Sequence, residues 1–333
     1  MRLPFCFSLI SIRRAMPRCL FCPTEGNALT DEHVFPAALG GNLVVKNSVC
    51  KACNNGFSEA FEEDIVKRFE HVRHIFRIPD RRGNVPDIDT KVELQGEQLD
   101  ARLMGNGTLK LKPIFTKEVR NGVEERVARY VSDRQEEDLR KSGWEMAETT
   151  SGGEVQGFFS GRLDFINLPG MLRLATKIAY LALVFRMGKV FASSSAFEQT
   201  RSYVRTGTGA TRARLFLNEG FLGVCPQGPH LHSVVLVGQN NKRSVDAIVR
   251  IFGGLCYFVN LYECYVGADF SNTLVFDAHR GEIVGALLTH LQGEFLQVNY
   301  VTENKETIWN DRVKSGEWFT RFIDRALQPK TDT

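Results

Sequence analysis

Two Cys-x-x-Cys pairs constrain this chain more than any other feature. They are Cys19-Leu20-Phe21-Cys22 and Cys50-Lys51-Ala52-Cys53, and between them the chain carries Glu32-His33 and Asn47, with Asn54-Asn55 directly after the last cysteine. Each pair supplies two sulfurs from one tight turn, and four thiolates suit a tetrahedral structural zinc site. The intervening stretch is short and polar, so a metal replaces the core that it cannot build for itself. Eight cysteines among 333 residues are too few for a disulfide scaffold. Cys6, Cys225, Cys256 and Cys264 are scattered, mostly among apolar residues, and are expected to be buried thiols in a reducing, cytoplasmic setting.

The segment between the pairs reads as two short strands, near Leu29–Pro36 and Leu43–Val49, joined by a turn at Gly40-Gly41. A helix then begins at Asn54. Phe57, Phe61, Ile65 and Phe69 recur every four residues on its apolar face, and Pro79 marks its latest end. Residues 77–89 read as a polar linker. Residues 90–131 alternate and turn often, with a hairpin around Gly105-Asn106-Gly107. A helix is expected over Ser132–Ser142, and a second, apolar on most of its circumference, over Met171–Met187. Strands are expected at His232–Val237, Ala247–Phe252, Leu255–Tyr262, Thr273–Phe276, Ile283–Leu288 and Phe295–Val301, with a closing helix between Trp309 and Leu327.

These elements predict an α+β fold in four parts. Residues 1–16 are expected to be disordered or to precede the true start at Met16. Residues 17–78 form the cysteine-bearing domain, 79–160 a linker and hairpin-rich region, and 161–333 an α+β domain with no readable chemistry. The longest apolar run, Ile178–Phe185, is bounded by Lys177 and Arg186 and is too short to cross a bilayer, so no membrane partner is expected. A net charge of +3 and a pI near 8.4 are compatible with nucleic acid without pointing to it.

The opening stretch resembles the HNH endonucleases (ββα-metal or His-Me finger nucleases) in their zinc-stapled form. Their pattern is C-x-x-C, an acid-His pair followed by Pro, then Asn, then C-x-x-C with His or Asn next. Here it stands as Cys19/Cys22, Glu32-His33-Val34-Phe35-Pro36, Asn47, and Cys50/Cys53-Asn54. The run EHVFPAALGG is similar to a subgroup whose acid is Glu. Many members have Asp in place of Glu32 and His in place of Asn54. The resemblance covers roughly residues 17–60.

It implies a metal-dependent endonuclease acting on DNA, with Glu32 and Asn54 on a divalent cation, Mg²⁺ above others, and Asn47 holding the loop that orients His33. His33, with an ordinary pKa near 6.5, can take a proton from water at neutral pH. Glu32 and His33 are neighbours on a strand and face opposite sides unless a bend or bulge brings them to one site. Two other readings use the same residues: a zinc-dependent nucleic-acid-binding or interaction module without activity, and an RNA-cutting nuclease.

Arg73, His74, Arg77, Arg81 and Arg82, at the end of the helix and just beyond, are candidate phosphate contacts or else a solvated helix end and linker. Arg201, Arg205, Arg212 and Arg214 form a second basic candidate in a flexible loop with no phosphate-binding fingerprint. Glu70-His71 repeats the acid-His pair without cysteines around it and reads as surface. His230, His232, His279 and His290 read as core or surface residues.

Overall fold

A computed structural model describes residues 18–23, 28–80, 82–94, 96–120, 123–129, 133–142, 156–158, 169–210, 212–215 and 230–284. The chain opens with a hairpin of β1 (Leu29–His33) and β2 (Val44–Cys50). A broken helix follows: α1 (Lys51–Phe57), a wider π-turn over Ser58–Glu62, α2 (Glu63–Arg68) and α3 (Glu70–Ile75). The helix starts three residues before the expected Asn54. Cys50 is its cap, its sulfur accepting the Cys53 N–H.

Next come β3 (Ile88–Leu94), β4 (Glu97–Leu103), β5 (Leu109–Leu111), β6 (Ile114–Arg120), β7 (Val123–Arg129), α4 (Asp133–Lys141) and β8 (Gln156–Phe158). They give a four-stranded sheet in the order β5-β4-β3-β8 and a separate β6–β7 hairpin. The expected Gly-Asn-Gly turn joins β4 to β5, with Gly107 at φ +89°. A small cluster of Val92, Leu99 and Ala101 is the core of this region.

The remainder begins with α5 (Pro169–Met187), α6 (Lys189–Ala192) and α7 (Glu198–Thr206). It continues through β9 (Ala213–Leu215), β10 (Leu231–Gln239), β11 (Ser244–Ile251), β12 (Leu255–Tyr262), β13 (Phe270–Asp277) and β14 (Glu282–Ile283). These six strands make one antiparallel sheet, ordered β14-β13-β10-β11-β12-β9. The chain is therefore α+β, as its alternating and helical patterns predict. The expected elements at 1–16, Phe295–Val301 and Trp309–Leu327, most of the Ile283–Leu288 strand, and Cys6, Cys225 and His290 lie outside the described residues.

Helix α5 is the hub. Every residue from Leu174 to Val184 is buried, as its nearly all-round apolar surface requires. One cluster of buried side chains includes the cysteine hairpin, the α1–α3 helix, α5 and the six-stranded sheet, from Cys19 to Ala278. Phe21 meets Phe57 and Tyr180 edge-on, at 4.8 and 5.3 Å between ring centres. Residues 17–78 thus share their core with the segment that begins at 169, while the intervening sheet keeps its own. Among the described residues no helix is long and apolar enough to cross a membrane.

Candidate active site

The four expected cysteines converge. Their sulfurs all lie within 4.8 Å of one another, and Cys22 and Cys50 are 3.6 Å apart. A tetrahedron with metal–sulfur distances of about 2.3 Å has edges of about 3.8 Å, so the group matches a zinc cage. Backbone N–H groups of Phe21 and Cys50 both point at the Cys19 sulfur, at 3.4 Å each. The Cys53 hydrogen bond, with these amides, brings the Cys19 thiol down to about 4, while the same bond pushes Cys53 up. One sulfur is thus already disposed to be a thiolate, the form that binds metal. The donor set fits a zinc ion, which these cysteines could hold. Of the other described cysteines, Cys256 is buried as expected, but Cys264 is exposed, because it lies in the turn after β12 and not in the sheet.

Next to this knot the hairpin is irregular. Thr30 pairs with Val49 and Glu32 with Val45, so two steps on β1 match four on β2. The extra residues bulge at Asn47, which adopts a left-handed backbone at φ +47°, a conformation that Asn tolerates better than most residues. Asp31 clasps the bulge, accepting from the Asn47 N–H at 2.9 Å and from Lys46 Nζ at 2.7 Å. Those bonds, the Lys46 one foremost, hold the Asp31 carboxyl below its usual range. Asp31 was not singled out in the sequence, where it reads as one more acid beside Glu32. Asn47 itself is exposed, and what is fixed there is its backbone.

The bulge comes just before Glu32, and β1 ends at His33. Glu32 and His33 both line one cavity of about 350 Å³, together with Asn54 and Ser58 from the helix. Asn54 Nδ2 donates to Thr30 Oγ1 at 3.1 Å, tying the first helical turn to β1. Pro36, Ala37 and Ala38 form the opposite lip. Their turn is closed by Gly40, at φ +89°, and Gly41, where a side-chain carbon would sit 2.1 Å from the Phe35 carbonyl oxygen.

Glu62, Glu63 and Glu70 line the same cavity, against Lys67. Glu70 therefore belongs to the site wall and not, as its sequence context suggests, to an unrelated surface. The π-turn explains why Glu62 is there. Residues four apart drift by about 40° around a regular α-helix, so Asn54, Ser58 and Glu62 would spread over about 80°. At Ser58–Glu62 the Glu63 N–H reaches back five residues to the Ser58 carbonyl, and this wider turn brings Glu62 back into line.

The residue that the sequence most conceals is Lys177. It reads as the polar boundary of an apolar run, yet its side chain is only 2% exposed. From the middle of α5 its Nζ lies 2.5 Å from Glu32 Oε1 and 2.5 Å from Glu62 Oε1, and 4.9 Å from the centre of the Phe57 ring. Burial alone would lower the Lys177 pKa, but Glu62 and Glu32 outweigh it and leave the ammonium favoured. Burial raises the Glu32 carboxyl, opposed by Lys177. Glu32 Oε2 is buried and has no hydrogen-bond partner among the described residues. An oxygen in that condition costs about 1–3 kcal/mol and fits a position meant for a cation.

The candidate phosphate contacts divide. Arg73 is buried at 5% exposure, its guanidinium desolvated, and His74 is buried with Nδ1 2.7 Å from the Pro86 carbonyl oxygen. They face inward because the helix end packs on the next segment. Arg77 and Arg82 are exposed, and Arg81 lies outside the described residues. Of the second group, Arg201 is buried and holds the Ala192 and Ser194 carbonyls, Arg205 reaches the Phe21 carbonyl, and Arg212 bonds Asn260. Arg214 stacks on Phe258. These arginines brace the fold. His232 is in the core.

A knot of four cysteines, a bulged hairpin ending in Glu-His and a helix carrying Asn make up the site. Residues 19–70 match the family model of the HNH endonucleases. No curated protein and no solved structure matches the chain. The match covers residues 19–70 alone, and the acid, histidine and asparagine of that segment are among the residues on the cavity wall. Lys177 lies outside the matched segment, on the helix that carries the rest of the molecule.

Proposed function

We propose that this protein is a metal-dependent endonuclease that hydrolyses phosphodiester bonds in DNA. His33 acts as general base, and Glu32 and Asn54 hold a divalent cation such as Mg²⁺. The observation that carries this reading is the convergence of Glu32, His33 and Asn54 on one cavity. His33 takes a proton from the attacking water. Glu32 offers Oε2, buried and without a hydrogen-bond partner among the described residues. Asn54 gives its amide N–H to Thr30, which leaves the amide oxygen, a ligand atom that hard cations prefer. When bound, the cation supplies positive charge to the scissile phosphate and its leaving oxygen. The cavity needs it, because Glu32, Glu62, Glu63 and Glu70 would otherwise repel a phosphate. Zinc at Cys19, Cys22, Cys50 and Cys53 holds hairpin and helix in register. Exposed Arg77 and Arg82, with Arg81 between them in sequence, supply phosphate contacts, and a cytoplasmic setting keeps the thiols reduced.

The test is incubation of zinc-loaded protein with supercoiled plasmid or RNA in Mg²⁺. The plasmid is expected to be cut, and His33→Ala to slow cutting by about 10²-fold or more. Equal rates for wild type and His33→Ala would sink the mechanism, and cleavage of RNA alone would replace the substrate.

A further inference from the structure

The ammonium in the middle of α5 is not explained by stability. Burying a charged cluster costs several kcal/mol per ion, and apolar residues of similar volume often replace such clusters without loss. Here Lys177 has been placed where it touches two carboxylates at 2.5 Å each, one of them Glu32. It uses one oxygen of Glu32 and leaves the other, buried, with no hydrogen-bond partner among the described residues. A cluster built only for stability would satisfy both. Glu62 comes from the π-turn and fixes the ammonium from the far side, so the lysine has two anchors and cannot swing away from Glu32.

We infer that Lys177 and Glu62 form a positioning pair for Glu32, holding its Oε1 so that Oε2 is presented as a ligand to a divalent cation. The inference rests on the cation site proposed above. Lys177 and Glu62 act through Glu32 and need not touch the substrate. The pair also sets the charge of the buried cluster, since two carboxylates and one ammonium leave the single negative charge of one ligand carboxylate. The HNH segment is then incomplete by itself, because one of the groups that orients its acid is supplied by α5, 145 residues along the chain.

Mn²⁺ binding to the zinc-loaded full chain, read by electron paramagnetic resonance of the bound ion, tests this without relying on cleavage. The double variant Lys177→Met/Glu62→Gln keeps the net charge of the buried group while removing the hold on Glu32. Groups that orient metal ligands typically affect affinity by about 10–100-fold, and a Mn²⁺ affinity at least about tenfold weaker is expected, with zinc content and melting unchanged. Glu32→Gln should abolish the same binding. If Glu32→Gln weakens Mn²⁺ and the double variant does not, the positioning role is overturned and the cation site stands. If Glu32→Gln has no effect either, the cation site itself is wrong. Should the double variant lose its zinc, Glu62→Gln alone decides: weaker Mn²⁺ binding is expected, and unchanged affinity overturns the pair.

Discussion

His232 holds the turn that follows His33. Its Nδ1 accepts the Phe252 N–H at 3.2 Å, so its proton is on Nε2, which donates to the Leu39 carbonyl at 2.9 Å. The ring stacks on Phe35 at 4.7 Å, and full burial brings its pKa down to about 4. The unfolded chain takes up this proton near pH 6.5 and the folded one only near 4. Stability is therefore complete above about 6.5 and lost as pH falls toward 4, by roughly 2 kcal/mol at pH 5. Urea melts at pH 7.5 and 5 are expected to show that loss in the wild type and a flatter response in His232→Gln; parallel responses would contradict it. The sequence left His232 as a core or surface residue and could not name its partner, because the bond to Leu39 joins positions 193 residues apart. The convergence of Glu32, His33 and Asn54 on one cavity could be anticipated for the opposite reason, since they lie within one short stretch whose residue types and spacing resemble a known family.

At the level of elements, the hairpin and the first helix depend on the cysteine knot. Cys50 is at once strand end, metal-ligand candidate and helix cap, so removing it and Cys53 takes away two ligands and the start of α1. Cys50→Ser/Cys53→Ser is expected to lose its zinc and to melt well below the wild type; unchanged zinc stoichiometry would refute the role. The three-residue error in the helix start has the same origin. Caps are usually Ser, Thr, Asp or Asn, and a cysteine sulfur doing that work gives no such signal. The break in the helix was visible in the sequence, though not as a break. Phe57, Phe61, Ile65 and Phe69, all buried, are spaced by four, and over twelve residues that spacing would drift about 120° off one face of an α-helix. The π-turn absorbs the difference. Strands β10 to β13 were legible because their apolar residues alternate or run continuously between turns. β6 and β7 fall in the stretch read only as alternating and hairpin-rich, whereas the three residues of β9 are too few to show a pattern.

On the scale of the molecule, the HNH segment is gripped from several sides by residues that follow it. Lys177 holds Glu32, Lys189 donates to the Lys46 and Asn47 carbonyls at 2.6 and 2.7 Å, Arg205 holds Phe21 and His232 holds Leu39. A chain cut after residue 78 would expose Phe21, Phe57 and Phe61, whose neighbours include α5. Even with zinc, it is expected to bind a hydrophobic dye strongly and to give poorly dispersed amide resonances; a well-dispersed spectrum would show the segment to be autonomous. None of these tethers could be read from sequence, because each is a single polar side chain whose partner is set by packing over long separations. Lys177 also has a consequence in time. At about 5–20 residues per second, the ribosome makes this lysine roughly 7–30 s after Glu32. For most of that interval, once Cys53 has been made, the growing chain has all four cysteines but not the ammonium that seats the acid. The cysteines can therefore come together while the acid beside them still lacks its partner, and completion of the Lys177–Glu32 contact is deferred until the central helix has left the exit tunnel.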